Sequence, residues 1–356
     1  MDFIVDVEGG RDPIILQISD IQIIDAAQKR TPDRIGDYAC AYWATDKMED
    51  RCFKYVRETV DAVKPDLILM AGDNVYGEFD DAGTSWLAFV EFMDSFGIPW
   101  APIMGNHDTE SKKGADWQCE QPVNAKHCLF KQRELNGNGN YSVGIRQNGK
   151  VTRVFFMMDT GSVSASAETL ANGHTKHVIG LLDDQLAWYT ESIARIRAAY
   201  PDVKHSLMTH VQPHVFRVAA GEYGLDEANS KVSFETVFID RLENKAEGDY
   251  GIINHHFVGH WDQMRNTWNL LKEQGADSFF VGHEHAVSAC MTYEGIKMVF
   301  GQKSSTYDGV NYLNNSGEYI FSYDRQGIPQ VGGTVISLSE DDGSLLAISV
   351  YLCKEE

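Results

Sequence analysis

Five times along this chain a short apolar run ends in a cluster of polar residues with metal-binding chemistry. Residues 14–18 lead to Asp20-Ile21-Gln22, and residues 67–71 to Gly72-Asp73-Asn74-Val75-Tyr76. Residues 102–104 lead to Gly105-Asn106-His107-Asp108, Leu207-Met208 to Thr209-His210, and residues 279–281 to Gly282-His283-Glu284-His285. Apolar runs this short read as buried strands of a mainly parallel sheet. In an open α/β sheet, ligands gather outside the carboxyl ends of the strands. Five such ends would deliver two Asp, one Asn, one His and a His-x-His pair to one rim. That is more than a single ion can use.

The charge balance narrows the partners. With 52 acidic against 31 basic residues, the chain carries a formal charge of −21. Such a surface repels nucleic acid and anionic membranes, because affinity for DNA rests largely on phosphate neutralisation by Lys and Arg. A small phosphorylated substrate stays compatible, since bound cations invert the sign locally. Hydrophobic residues make up 43% of the 356, enough for a sizeable core. No apolar stretch approaches a membrane span. The start, Met1-Asp2-Phe3-Ile4-Val5-Asp6, is acidic and lacks the apolar segment of a secretion signal. The chain as given therefore reads as cytoplasmic, or as exported if a signal was trimmed. Its six cysteines read as reduced thiols, with Cys40–Cys52 and Cys119–Cys128 open as bridges in an exported protein. Nothing in the sequence fixes an oligomeric state.

Strands and helices alternate through the first half. Phe53, Val56, Val60 and Val63 keep helical spacing up to Lys64-Pro65, and Trp86, Phe89, Val90, Met93 and Phe96 form a second stripe closed by Gly97. Leu182, Leu186, Tyr189, Ile193 and Ile196 form a third, with Asp183 or Asp184 as its N-cap. An Asn-Gly hairpin is expected at residues 147–150. More strand follows at residues 287–300 and 334–351, the latter hinged at 341–343. Two packed sheets with helices outside suit this order: an α/β fold as a four-layer α/β/β/α sandwich, one domain over 1–356. Residues 211–262 interrupt it with an irregular insertion that holds His214, Asn254, His255, His256, His260 and Trp261. An insertion of that length is either a lid or binding loop or a surface decoration.

Carboxylate, imidazole and amide donors suit Zn, Mn or Fe rather than a structural zinc, which favours Cys. Two metals that share one carboxylate account for all the donors. Asp73 is the expected bridge, with Asp20 and His285 on one ion and Asn106, His210 and His283 on the other. Two ions roughly 3.5–4 Å apart would ionise a water between them and clamp an in-line phosphoryl displacement. His107, turned away from Asn106 by the alternation of extended chain, is placed to meet the leaving group or a phosphate oxygen. Asp108 is expected to accept from its other ring nitrogen. Asp159, at the end of residues 154–158, follows the same pattern but reads as structural or as a support behind the metal ligands.

These motifs resemble the calcineurin-like metallophosphoesterase superfamily, from Ile14 to about Tyr307. The family pattern D-x-H, G-D, G-N-H-[DE], a later His and G-H-x-H is met by Asp20, Asp73, Asn106, His107, Asp108, His210, His283 and His285. The first motif departs from it, with Gln22 in place of His. Gln22 is left to ligate through its amide oxygen, to bond the bridging water, or to fill space. Purple acid phosphatases also lack that His and use the Tyr of G-D-x-x-Y as an iron ligand, a motif that Gly72-Asp73-Asn74-Val75-Tyr76 completes. The resemblance implies a dinuclear centre and phosphoester hydrolysis, with Fe(III) beside a divalent ion if Tyr76 ligates. The leading expectation is a metal-dependent phosphohydrolase of a phosphomonoester, small phosphodiester or nucleotide. A nuclease and a catalytically impaired, metal-binding regulatory module are the alternatives.

Overall fold

In the computed structural model, the described residues are 1–25, 27–28, 48–161, 168–169, 175–176, 180–225, 236–254, 265–285, 287–304 and 331–354. The first motif strand, β2 (Ile14–Ile18), lies parallel to β3 (Leu67–Met70), which lies parallel to β4 (Trp100–Pro102). All four residues of β3 are buried, as a strand covered on both faces requires. β15 (Gly332–Leu338) pairs antiparallel with β2, and β16 (Leu345–Leu352) closes the order β16-β15-β2-β3-β4. β4 begins two residues ahead of the apolar run at 102–104, so Ile103 and Met104 already belong to the exit loop.

The second sheet is nine-stranded among the described residues. It runs from β1 (Phe3–Val7) through β5 (Tyr141–Gln147), β6 (Lys150–Met157), β9 (Lys204–Met208) and β12 (Ser278–Val281). It continues through β14 (Ile296–Phe300), β13 (Ser288–Tyr293), β11 (Tyr250–Asn254) and β10 (Thr236–Phe238). The segments β6, β9, β12 and β14 are mutually parallel, so their carboxyl ends share one rim. A short pair, β7 (Glu168–Thr169) with β8 (Thr175–Lys176), stands apart. The Asn148-Gly149 turn between β5 and β6 has positive φ at both residues, as a two-residue hairpin needs.

Alternation along the larger sheet places it between two cores. Phe155, Met157, Met208 and Phe280 join the core shared with the smaller sheet. Their neighbours Val154, Phe156, Leu207, Phe279 and Val281 join the outer core. That outer core also takes Tyr189 and Ile193 of α4 (Asp183–Ala199), Phe216 of α5 (Val215–Glu222) and Trp268 of α6 (Arg265–Glu273). On the other side, α1 (Met48–Val63) buries Cys52, Val56 and Val60, and α2 (Thr84–Asp94) buries Trp86, Phe89 and Met93. A shorter α3 (Ala115–Val123) follows. Helix, sheet, sheet, helix is the four-layer order.

One local expectation changes. Asp183 and Asp184 lie inside the first turn of α4 rather than capping it, and the Gln185 side chain accepts from the Leu182 N–H (2.9 Å) instead. Asp184 is drawn to the Asn136 backbone, which it holds at 2.8 Å. Cys119 and Cys128 are unbridged thiols, and Cys40 lies outside the described residues. The described part of the insertion extends the larger sheet through β10 and β11. Asp249 anchors it by accepting from the Tyr223 hydroxyl and from Lys297 Nζ (2.8 Å). His214 directly precedes α5 and Asn254 ends β11, whereas His255, His256, His260 and Trp261, like Tyr307, lie outside the described residues. No helix among the described residues is long and apolar enough to cross a membrane.

Candidate metal centre

The two sheets pack face to face and are tied together at the rim where their motif strands end. Gln17 Nε2 donates to the Val281 carbonyl (2.9 Å), the Tyr141 hydroxyl to the Pro102 carbonyl (2.6 Å), and the Ser304 N–H to the Ser19 carbonyl (2.9 Å). Asp20 and Asp73 leave the smaller sheet, His210 and His283 the larger. Asp20, Gln22, Asp73 and His283 all have left-handed backbone, four of the eight non-glycine residues that do among those described. Such backbone turns a strand end sharply and is costly for any side chain. Glycines allow the close approach around them. A Cβ on Gly105 would stand 2.2 Å from Asp73 Oδ1, and one on Gly282 2.3 Å from Ser19 Oγ.

Asp73 is fully buried and common to two donor groups. Asp73, His210 and His283 offer ligand atoms within 4.8 Å of one another, and so do Asp20, Asp73 and His285. Asn106 Oδ1 lies 3.0 Å from His210 Nε2, which joins it to the first group. The tautomer of His210 is set from behind. Its Nδ1 lies 2.7 Å from the Ala71 carbonyl, an acceptor only, so Nδ1 carries a hydrogen and Nε2 is the nitrogen turned toward Asn106 and Asp73. Asp20 accepts from the His283 N–H (3.0 Å) and from Ser19 Oγ, and faces His285 Nε2 at 3.3 Å. The donor set, two carboxylates with three imidazoles and one amide, fits a pair of first-row transition ions.

Gln22 enters this ring. Its Nε2 lies 3.0 Å from Asp73 Oδ2 and 3.2 Å from His285 Nε2, and its buried Oε1 has no hydrogen-bond partner among the described residues. An orphaned carbonyl oxygen beside two ligand candidates suits a cation better than a closed hydrogen-bond network. Tyr76 is buried with its ring stacked on His107 (4.1 Å between centroids) and edge-on to Phe79 (5.3 Å).

The electrostatics follow from burial and mutual contact. Burial pushes the Asp73 carboxyl up, but His210 and His107 outweigh it and hold the group well below the usual range. Asp20 is likewise lowered by His285 against its own desolvation. Burial works against the charged form of His210, yet Asp73 raises it to about 9, while burial and the His210 charge push His283 down to about 3. Each carboxylate thus keeps its charge and faces an imidazole.

Asp108 does not take the role expected of it. Its Oδ1 accepts from the Val75 N–H (2.9 Å), and its Oδ2 from the Gly105 N–H (2.6 Å) and Asn74 Nδ2 (3.2 Å). It ties the second and third motif loops together. Burial, with Asp73 nearby, raises its pKa to about 7. The group on His107 Nδ1 is Glu110, whose Oε2 lies 2.8 Å away. The signal for it was present, a carboxylate three residues on, but a turn had to be known to use it. Asp159 accepts from the Asn138 and Gly161 N–H groups, and so serves structure rather than the centre.

Comparison with known proteins agrees with this geometry. Residues 14–287 match the family described as calcineurin-like phosphoesterase. Among curated proteins, the chain is 24% identical over 269 residues to "Probable inactive purple acid phosphatase 28" of Arabidopsis thaliana, covering 70% of this chain and 60% of that one. It is 35% identical over 101 residues to "Probable inactive purple acid phosphatase 14" of the same plant, covering 26% and 25%. The chain thus spans between a quarter and three fifths of the length of these relatives. Among solved structures, a dimetal phosphatase from Danio rerio superposes with a TM-score of 0.52 at 11% identity, covering 96% of this chain and 98% of that one, a likeness of fold. The chain belongs to the calcineurin-like phosphoesterase family, in its purple-acid-phosphatase-like branch.

Proposed function

We propose that this chain is a metal-dependent phosphohydrolase of small phosphorylated substrates, its 1–356 forming one catalytic domain. The observation that carries the reading is the pair of donor groups sharing Asp73. Asp20 and His285 would hold one ion with Asp73, and Asn106, His210 and His283 the other, with Gln22 Oε1 and the Tyr76 phenol as further donors. Two ions seated there would acidify a water at neutral pH and neutralise phosphoryl oxygens.

The remaining work falls to the chain. His107 stands beside the centre, its Nε2 4.0 Å from Asp73 Oδ2. From there its Nε2–H would protonate the leaving oxygen as the P–O bond breaks, or bond a phosphate oxygen. Asp108 keeps the loops that carry Asp73 and Asn106 in register. The acidic surface favours small substrates over nucleic acid.

The names of the relatives and the Gln22 substitution favour a second reading, a metal-binding module with impaired turnover. One assay separates the two. Purified protein loaded with Fe, Mn or Zn is offered p-nitrophenyl phosphate and its bis ester, with metal content measured in parallel. Hydrolysis that disappears on chelation and returns on reloading supports the enzyme. About two ions per chain with no hydrolysis of either ester supports the module.

A further inference from the structure

We infer that Glu110 is the positioning residue of His107, holding the ring by Nδ1 so that Nε2 faces the Asp73 side of the centre. The geometry starts from a single turn. His107 precedes a 3₁₀ turn, Asp108–Glu110, in which the Glu110 N–H bonds back to the His107 carbonyl (3.2 Å). In a 3₁₀ turn, side chains three apart eclipse one another. Glu110 therefore returns over His107, while Asp108, one residue round, points inward to the amides of Val75 and Gly105.

Three further contacts hold His107. Its N–H donates to Asp73 Oδ1 (2.8 Å), its carbonyl accepts from the Gly77 N–H (3.0 Å), and Tyr76 covers one face of the ring at an interplanar angle of 24°. Nδ1 meets Glu110 Oε2 at 2.8 Å, and both side chains are mostly shielded from solvent. A carboxylate only accepts, so Nδ1 carries the hydrogen and Nε2 is the nitrogen that gains or gives one. The consequence is mechanical. As a water oxygen bonds to phosphorus, the ester P–O bond breaks, and its electron pair goes to the leaving oxygen, which takes the Nε2 proton. The ring left behind is the neutral Nδ1–H tautomer that Glu110 already holds. No ring flip intervenes between turnovers.

The kinetic side of this inference rests on the phosphohydrolase reading, but its structural side does not. The test uses the zinc-loaded full chain, with histidine nitrogens labelled by ¹⁵N and the His107 signals assigned by their loss in His107→Asn. Wild-type protein and Glu110→Gln, which keeps an acceptor, should show hydrogen on Nδ1. Glu110→Leu, equal in bulk but with no acceptor, should move hydrogen toward Nε2, and Glu110→Ala should do the same if the leucine variant does not fold. With an alkyl phosphate, Glu110→Leu should lose about 10- to 100-fold in kcat with KM little changed, and Glu110→Gln should recover most of that loss. An unaltered His107 tautomer in both acceptor-less variants overturns the inference. So does a glutamine variant no better than the leucine. If wild-type protein hydrolyses nothing, the phosphohydrolase reading fails and the ¹⁵N spectra alone decide for or against Glu110.

Discussion

Replacing Asp73 by Asn removes a carboxylate from both donor groups at once, and the consequence can be sized. A ligand that binds only the folded state at one hundred times its Kd stabilises that state by about 2.7 kcal/mol, so two independent ions would add about 5 kcal/mol. With an unfolding entropy near 2.1 cal/mol/K per residue, a chain of 356 residues changes by about 0.75 kcal/mol per degree. Reloading chelated wild-type protein should therefore raise its midpoint by about 7 °C. Asp73→Asn should abolish most of that rise, because Asp73 stands in both groups. His285→Ala, which touches one group only, should keep about half of it and one ion. Thermal unfolding with and without metal, beside elemental analysis of the same samples, measures both quantities. An Asp73→Asn protein that holds two ions and keeps the wild-type shift would refute the shared-carboxylate reasoning.

Gly105→Ala forces a methyl to within 2.2 Å of Asp73 Oδ1 and 2.3 Å of its backbone nitrogen, so it should cost about 1–3 kcal/mol and weaken metal uptake. Gly221→Ala, which meets nothing within 4 Å, should leave uptake unchanged, and equal titration curves for the two would count against the argument. If Tyr76 supplies a phenolate, iron-loaded protein absorbs visible light and Tyr76→Phe bleaches it; a colourless iron form would point to a packing role for the ring, against His107 and Phe79. His205 is buried against the Tyr189 hydroxyl (2.7 Å), and burial holds it down to about 3 from an ordinary 6.5. A folded-state pKa below the unfolded one means stability is present above 6.5 and lost as pH falls, by about 1.4 kcal/mol per unit. Urea unfolding at pH 7 and pH 5 should thus differ by about 2 kcal/mol more in wild type than in His205→Gln, and identical differences would sink the assignment.

What could be read from the sequence was whatever a strand end expresses locally. Asp20, Asp73, His210, His283 and His285 each follow an apolar run, and parallel strands necessarily carry such residues to one rim. Pairings across the chain had no local signature. Nothing near residues 332–338 announces that β15 lies beside β2, and β1 pairs with β5 at a separation of about 140 residues. Glu110 was hidden for another reason. Sequence adjacency favoured Asp108, whereas a 3₁₀ turn favours the residue three on, and no periodic pattern distinguishes so short a turn.

The left-handed residues explain why the centre sits where it does. A strand that ends at the rim must turn within one residue for its side chain to face the opposite sheet. Left-handed backbone does this, at a cost of order 1–3 kcal/mol for each non-glycine residue. Glycine would remove the strain, but glycine offers no donor atom. The chain divides the two needs between neighbours. Asp20, Asp73 and His283 keep their side chains and bear the strain, while Gly72, Gly105 and Gly282 surrender theirs where a Cβ would collide. The opposing force is visible in the hydrogen bonds that the strained residues make. Asp20 accepts from the N–H of His283, itself strained, and Asp73 accepts from the His107 N–H. Each of these bonds joins one motif loop to another, so strain in any one loop is restrained by the rest. A glycine at 20 or 73 should relax the local backbone, yet it would delete the carboxylate on which those bonds converge.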